Sequence, residues 1–120
     1  GSLGSSMIKL VSPLGANIIG VNRKGGDIKG CSKVIKIDKI DSVLEYADIL
    51  YLALPETPET KNLINRNRLN LLKSSCGIIN IGRQSALDYE ALCEKLNKKE
   101  IAGAILDVFS PEPIDNKSNL

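Results

Sequence analysis

Ile49-Leu50-Tyr51-Leu52-Ala53-Leu54 is six apolar residues in a row, closed by Pro55 and again by Pro58. A strand with one wet face alternates apolar and polar side chains. This run does not alternate, which is how a strand covered on both faces reads. The same texture recurs on either side of it. Gly77-Ile78-Ile79-Asn80-Ile81 and Ala102-Gly103-Ala104-Ile105-Leu106 follow, and Asn17-Ile18-Ile19-Gly20-Val21 precedes, with a briefer strand expected over 34–37.

Helical patterns lie between the strands. Met7, Leu10, Val11 and Leu14 form an i, i+3, i+4, i+7 stripe, ended by Pro13 and Gly15. Ser42-Val43-Leu44-Glu45 has capping-box spacing and predicts a short helix through Tyr46, while 60–72 predicts one or two helical turns. Asp88 is placed to cap a helix with Glu90 in its first turn and Lys95, Lys98 and Lys99 near its end, a charge order that suits the helix dipole. Residues 22–33, with Gly25, Gly26 and Gly30, read as a loop, as does the Pro-rich stretch from Ser110. Strand and helix alternate without a repeat or linker, which predicts a parallel α/β sheet with helices on both faces. Ligands of such sheets sit at the carboxyl ends of the strands. Here those ends are Asn22-Arg23, Leu54-Pro55, Ile81-Gly82-Arg83 and Asp107-Val108.

Composition narrows the chemistry. The chain has 120 residues, 42% hydrophobic and 25% charged, the balance of one globular domain or part of one. It has no histidine, so a Ser–His–Asp triad, a Cys–His pair and a His-ligated zinc site are excluded within it. Cys31, Cys76 and Cys93 are odd in number and widely spaced, the pattern of small buried hydrophobes in a reducing, cytoplasmic setting, with no metal expected. A net charge of +2 and 3% aromatics give no footprint for nucleic acid. No apolar run approaches the roughly 20 residues of a membrane span, and no membrane partner or secretory signal is expected.

Gly1-x-x-Gly4 leads into the first helix, and the polar Asn22 follows the next strand; these are the proportions of the second half of a dinucleotide fingerprint, in which glycines admit the pyrophosphate to a helix N-terminus. A tag remnant would explain Gly1 and Ser2 as well. Further on, Leu54-Pro55-Glu56-Thr57-Pro58-Glu59-Thr60, Ile79-Asn80-Ile81-Gly82-Arg83, Asp88-Tyr89-Glu90-Ala91-Leu92 and the run from Ile101 through Leu106-Asp107-Val108-Phe109 to Pro113 occur in order. This succession resembles the D-isomer-specific 2-hydroxyacid dehydrogenases, and Leu14-Gly15-Ala16-Asn17-Ile18-Ile19-Gly20-Val21-Asn22-Arg23 resembles that family's first helix-to-strand passage.

The resemblance implies an incomplete Rossmann-type, doubly wound parallel sheet. Residues 1–120 would be part of an NAD(P)-binding domain, with its first strand ahead of Gly1, its C-terminal part and the substrate domain absent. In register, Gly1 and Gly4 become the second and third fingerprint glycines, so that Gly1–Ser6 is expected to be native. Arg83 falls on the catalytic arginine, whose guanidinium can grip a substrate carboxylate and polarise a keto oxygen. Asp107 falls on the aspartate that holds the nicotinamide carboxamide, and Glu112 on the acid that supports a catalytic histidine. That histidine would lie beyond Leu120, so the chain alone is expected to show no turnover. Backbone contacts to the cofactor at Ser2, Leu3, Leu54, Ile81 and Gly82 follow from the same register. A 2-hydroxy or 2-keto acid substrate, a homodimer of the intact enzyme, and NAD or NADP as cofactor are implied.

Two positions depart from the family. Asn22 stands where NAD-specific members carry an acid, and with Arg23 and Lys24 after it leans toward NADP or relaxed choice; a plain basic loop in solvent is the alternative. Gln84 replaces a glycine after the arginine, where it either narrows the substrate pocket or marks a tolerant backbone. A nucleotide-sensing module of the same fold, or a folding and dimerisation unit, are the rival readings.

Overall fold

The computed structural model describes all residues, 1–120. In chain order the elements are α1 (Ser2–Val11), β1 (Ile19–Asn22), β2 (Lys33–Lys36), α2 (Asp41–Leu44), β3 (Ile49–Leu52), α3 (Arg66–Leu69), β4 (Gly77–Asn80), α4 (Tyr89–Asn97) and β5 (Gly103–Leu106). Short 3-10 turns occupy Ser12–Leu14, Ile37–Lys39 and Gln84–Ala86. Every strand pairing is parallel, as the unalternating apolar runs predict. The strands form two sheets, however, β1-β2 and β3-β4-β5, because no ladder joins the first pair to the other three. The chain divides accordingly into two compact units, Gly1–Val43 and Leu44–Leu120.

In the first unit α1 starts at Ser2, five residues ahead of the apolar stripe. Its half-buried residues are Gly4, Met7, Ile8 and Val11, one helical face, whereas Leu10 is 73% exposed and Leu14 81% exposed. The expected stripe therefore shares only Met7 and Val11 with the inward face. The reason is local: Ile8 sits on the loop at Gly30, where an added Cβ would lie 2.6 Å from Ile8 Cγ2. Gly30 also has φ +92°, so glycine is needed there on both counts. Gly15, at φ 82°, ends the helical region in the left-handed conformation.

In the second unit β4 is the central strand. Leu50 and Leu52 of β3 align with Ile78 and Asn80 of β4, and these with Ala104 and Leu106 of β5, so that all six side chains share one face. Tyr89, Ala91, Leu92 and Cys93 of α4 are buried, and Tyr89 hydrogen-bonds Asn80 on that face. The opposite face carries Ile49, 59% exposed, and Ile105, 65% exposed. Tyr51 and Ile79 on that same face are half-buried, and α3 and α4 are contributed by the two crossovers β3→β4 and β4→β5.

The caps explain the helix limits. Asp88 accepts from Ala91 N at 2.9 Å and starts α4, as its sequence position predicts. Asn65 does the same for α3 through Arg68 N at 3.0 Å. Ser42 does not start α2, because its hydroxyl donates back to Lys39 O at 2.7 Å and the single turn opens at Asp41 instead. No helix is long and apolar enough to cross a membrane.

Candidate functional site

The carboxyl ends of β3, β4 and β5 lie level, because Ile81 N donates to Leu52 O and Asp107 N to Asn80 O, each at 3.0 Å. This brings Leu54, Ile81, Gly82, Arg83 and Asp107 to one edge of the sheet, as the sequence predicts. Gly82 is required there by close approach. A Cβ on it would stand 2.5 Å from Leu54 N and 2.6 Å from Leu54 O, so only glycine lets the two strand ends meet. The loop after Leu54 is braced by Thr60, whose hydroxyl donates to Pro55 O at 2.6 Å and accepts from Thr57 N at 2.9 Å. Ser85 ties the same loop to the Arg83 segment through Glu56 Oε2 at 2.8 Å.

Arg83 is exposed, and its Nη1 donates to Gly82 O at 2.9 Å. Its guanidinium forms no ion pair within the chain, so the cation is open to an incoming carboxylate. Arg83 itself is extended, at φ −135°, and Gln84 opens a 3-10 turn without a positive φ. The backbone there suits any residue, which is the tolerant-backbone reading of Gln84. Asp107 is exposed at the end of β5. Glu112 folds back to accept from Phe109 N at 2.9 Å, so its carboxylate closes the turn that follows Asp107-Val108.

Beneath this edge lies a polar chain. Asn80 is 0% exposed; its Oδ1 accepts from Gly82 N at 3.1 Å, and its Nδ2 donates to Arg83 O at 3.2 Å and to the Tyr89 hydroxyl at 3.3 Å. The Tyr89 hydroxyl donates onward to Val108 O at 2.6 Å, and its ring meets Phe109 edge-on at 6.0 Å. Burial pushes the Tyr89 hydroxyl above its ordinary pKa, with the Asn80 hydrogen bond partly offsetting the rise.

In the first unit, α1 opens at Gly1 with no side-chain cap. Its leading amides at Ser2, Leu3 and Gly4 are therefore open donors at a positive dipole end. A Cβ on Gly1 or Gly4 would meet nothing within 4 Å, so neither glycine is demanded by packing within the chain. At the end of β1, Asn22 Oδ1 accepts from Lys24 N at 2.8 Å and Gly25 N at 2.6 Å, closing a tight Asx turn. Lys36 aligns with Asn22 across the β1-β2 ladder, and a Cβ on Gly25 would lie 3.4 Å from its Cγ. Arg23, Lys24 and Lys36 thus gather at one sheet end, all exposed. The donor set fits a dinucleotide: open amides at a helix start and cations at a strand end.

Lys36, Asn80 and Tyr89 are missing from the sequence-based expectation. Asn80 carries a usable signal, a lone amide inside an apolar strand, which must find partners once buried. Lys36 becomes visible only when β2 is known to pair with β1. The cysteines are free, and burial raises the Cys31 and Cys76 thiols. No group of His, Cys, Asp or Glu is arranged to hold a metal ion.

Parallel strands whose carboxyl ends carry these donors define a nucleotide-binding α/β domain of the Rossmann type. Residues 1–120 match the family model described as "D-isomer specific 2-hydroxyacid dehydrogenase, NAD binding domain", and the chain belongs to that family. It is 34% identical over 118 residues to a D-3-phosphoglycerate dehydrogenase of Synechocystis, covering 95% of this chain and 21% of that protein. It is 34% identical over 115 residues to a glyoxylate reductase of Thermofilum pendens, covering 95% and 34%. A crystal structure of a D-isomer specific 2-hydroxyacid dehydrogenase from Xanthobacter autotrophicus Py2, in complex with NADPH and MES, superposes with TM-score 0.91 at 31% identity, covering 98% of this chain and 38% of that one. The chain spans from 20% to 40% of the length of the curated relatives it matches.

Proposed function

We propose that residues 1–120 are the nicotinamide-dinucleotide part of an enzyme that transfers a hydride between the cofactor and C2 of a small 2-hydroxy or 2-keto acid. The observation that carries this reading is the edge formed by Arg83 and Asp107, an unpaired guanidinium and an exposed carboxylate on neighbouring strand ends of the family's NAD-binding domain. The nicotinamide, when bound, supplies the hydride acceptor or donor. The chain's own residues bind and orient. Arg83 grips the substrate carboxylate and stabilises charge on the keto oxygen; Asp107 holds the carboxamide, with backbone at Leu54, Ile81 and Gly82 beside it. The amides of Ser2, Leu3 and Gly4 receive the pyrophosphate. Glu112 supports a histidine that these 120 residues do not contain.

NADP, or both cofactors, fits the first unit better than strict NAD specificity. Asn22 brings no negative charge toward a 2′-phosphate, and Arg23, Lys24 and Lys36 supply three cations at that strand end. Fluorescence titration of the chain with NADPH and NADH tests the proposal. Saturable binding is expected, with NADPH at least as tight, and Asn22→Asp shifts preference toward NADH by about tenfold through like-charge repulsion. Absence of saturable binding by either nucleotide overturns it.

A further inference from the structure

Asn80 is fully buried, and every polar atom of its side chain is engaged. An aliphatic residue would fill the middle of a parallel sheet without needing any of those partners, so the amide calls for another explanation. The partners supply one, since all of them belong to the carboxyl edge. Asn80 holds the amide of Gly82 and the carbonyl of Arg83, and passes a hydrogen bond to Tyr89, which passes one to the carbonyl of Val108. The backbone of Arg83 and the residue following Asp107 are thereby joined through two side chains. Tyr89 is itself fixed, because it is the first residue of α4, next to the Asp88 cap, with its ring against Phe109. Gly82 locks the third strand end by its close approach to Leu54.

We propose that Asn80 and Tyr89 are positioning residues, which set the Arg83 loop against the Asp107-Val108 segment so that a substrate carboxylate and a nicotinamide ring are held in reacting register. This rests on the function proposed above. Both side chains are buried, and the groups they hold are backbone atoms of Gly82, Arg83 and Val108, so they act through that backbone. A pure packing role would make the polar atoms incidental, and the binding of every ligand would then change together or not at all.

The test compares NADH with ADP-ribose, which keeps the adenosine and pyrophosphate but lacks the nicotinamide, on the full chain carrying Tyr89→Phe. Affinity for NADH is expected to fall about tenfold while that for ADP-ribose stays unchanged. The amide resonances of Gly82 and Phe109 are expected to shift together without ligand. Equal losses for both nucleotides, or no loss for NADH, overturn the proposal. Asn80→Asp is the second variant: it keeps the acceptor for Gly82 N, removes both donated hydrogen bonds, and should give the same split. Failure of both variants to fold identifies a structural role and likewise overturns it. Failure of the unsubstituted chain to bind NADH overturns the parent reading, and is seen before any substitution is made.

Discussion

The two units divide labour unequally. Only Ile35 and Ile40 are buried apolar residues in Gly1–Val43, whereas Leu44–Leu120 buries Leu52, Ile64, Leu69, Ile78, Leu92 and others around a three-stranded sheet. The first unit spends its sequence on open donors: an uncapped helix start and cations at a strand end. The second unit builds a packed scaffold and mounts its chemistry on the rim. Stability and recognition are therefore separable here, and substitutions should sort by unit.

The largest expected effect is in the second core. Leu92→Ala, at a fully buried site of α4, should lower the unfolding free energy by about 2–5 kcal/mol in urea titration. Leu10→Ala, on the outward face of α1, should change it by less than about 0.5 kcal/mol. Equal costs would erase the distinction between the units. A paired glycine test sharpens it. Gly82→Ala places a Cβ against the Leu54 backbone and should cost about 1–3 kcal/mol. Gly4→Ala meets nothing within 4 Å and should stabilise α1 by up to about 1 kcal/mol, while weakening dinucleotide binding at the helix start. The smallest effect is electrostatic. Arg66 pairs bidentately with Glu94, at 2.5 and 3.0 Å, linking α3 to α4, and holds that carboxyl below its ordinary value of 4.5. A depressed carboxylate stabilises the fold above its unfolded pKa and loses that contribution as pH falls through the lower folded value. Wild type and Glu94→Gln should therefore converge in thermal midpoint as pH falls below 4.5 and through the lower folded value, and differ slightly at pH 7; both side chains are about half exposed, which keeps the difference small.

The family, the parallel strands and the α4 cap were legible in the sequence because each rests on local pattern: apolar runs, a capping aspartate, ordered motifs. The strand ends carrying Arg83 and Asp107 were legible for the same reason. The inward face of α1 was not, since the Met7–Leu14 stripe matches helical spacing whichever side the chain later covers, and Ile8 was selected by a glycine 22 positions away. The Asn80–Tyr89–Val108 chain needed the fold, because its members lie nine and nineteen residues apart.

The proposed function requires this chain to bind a nicotinamide dinucleotide. Amide chemical-shift mapping of the full chain with NADPH tests it most directly. Perturbations are expected at residues 2–4 and 22–25 in the first unit, and at residues 54, 81–83 and 107–109 in the second. Saturable shifts confined to the outer face of α4, around Glu90, Glu94 and Lys98, would contradict it.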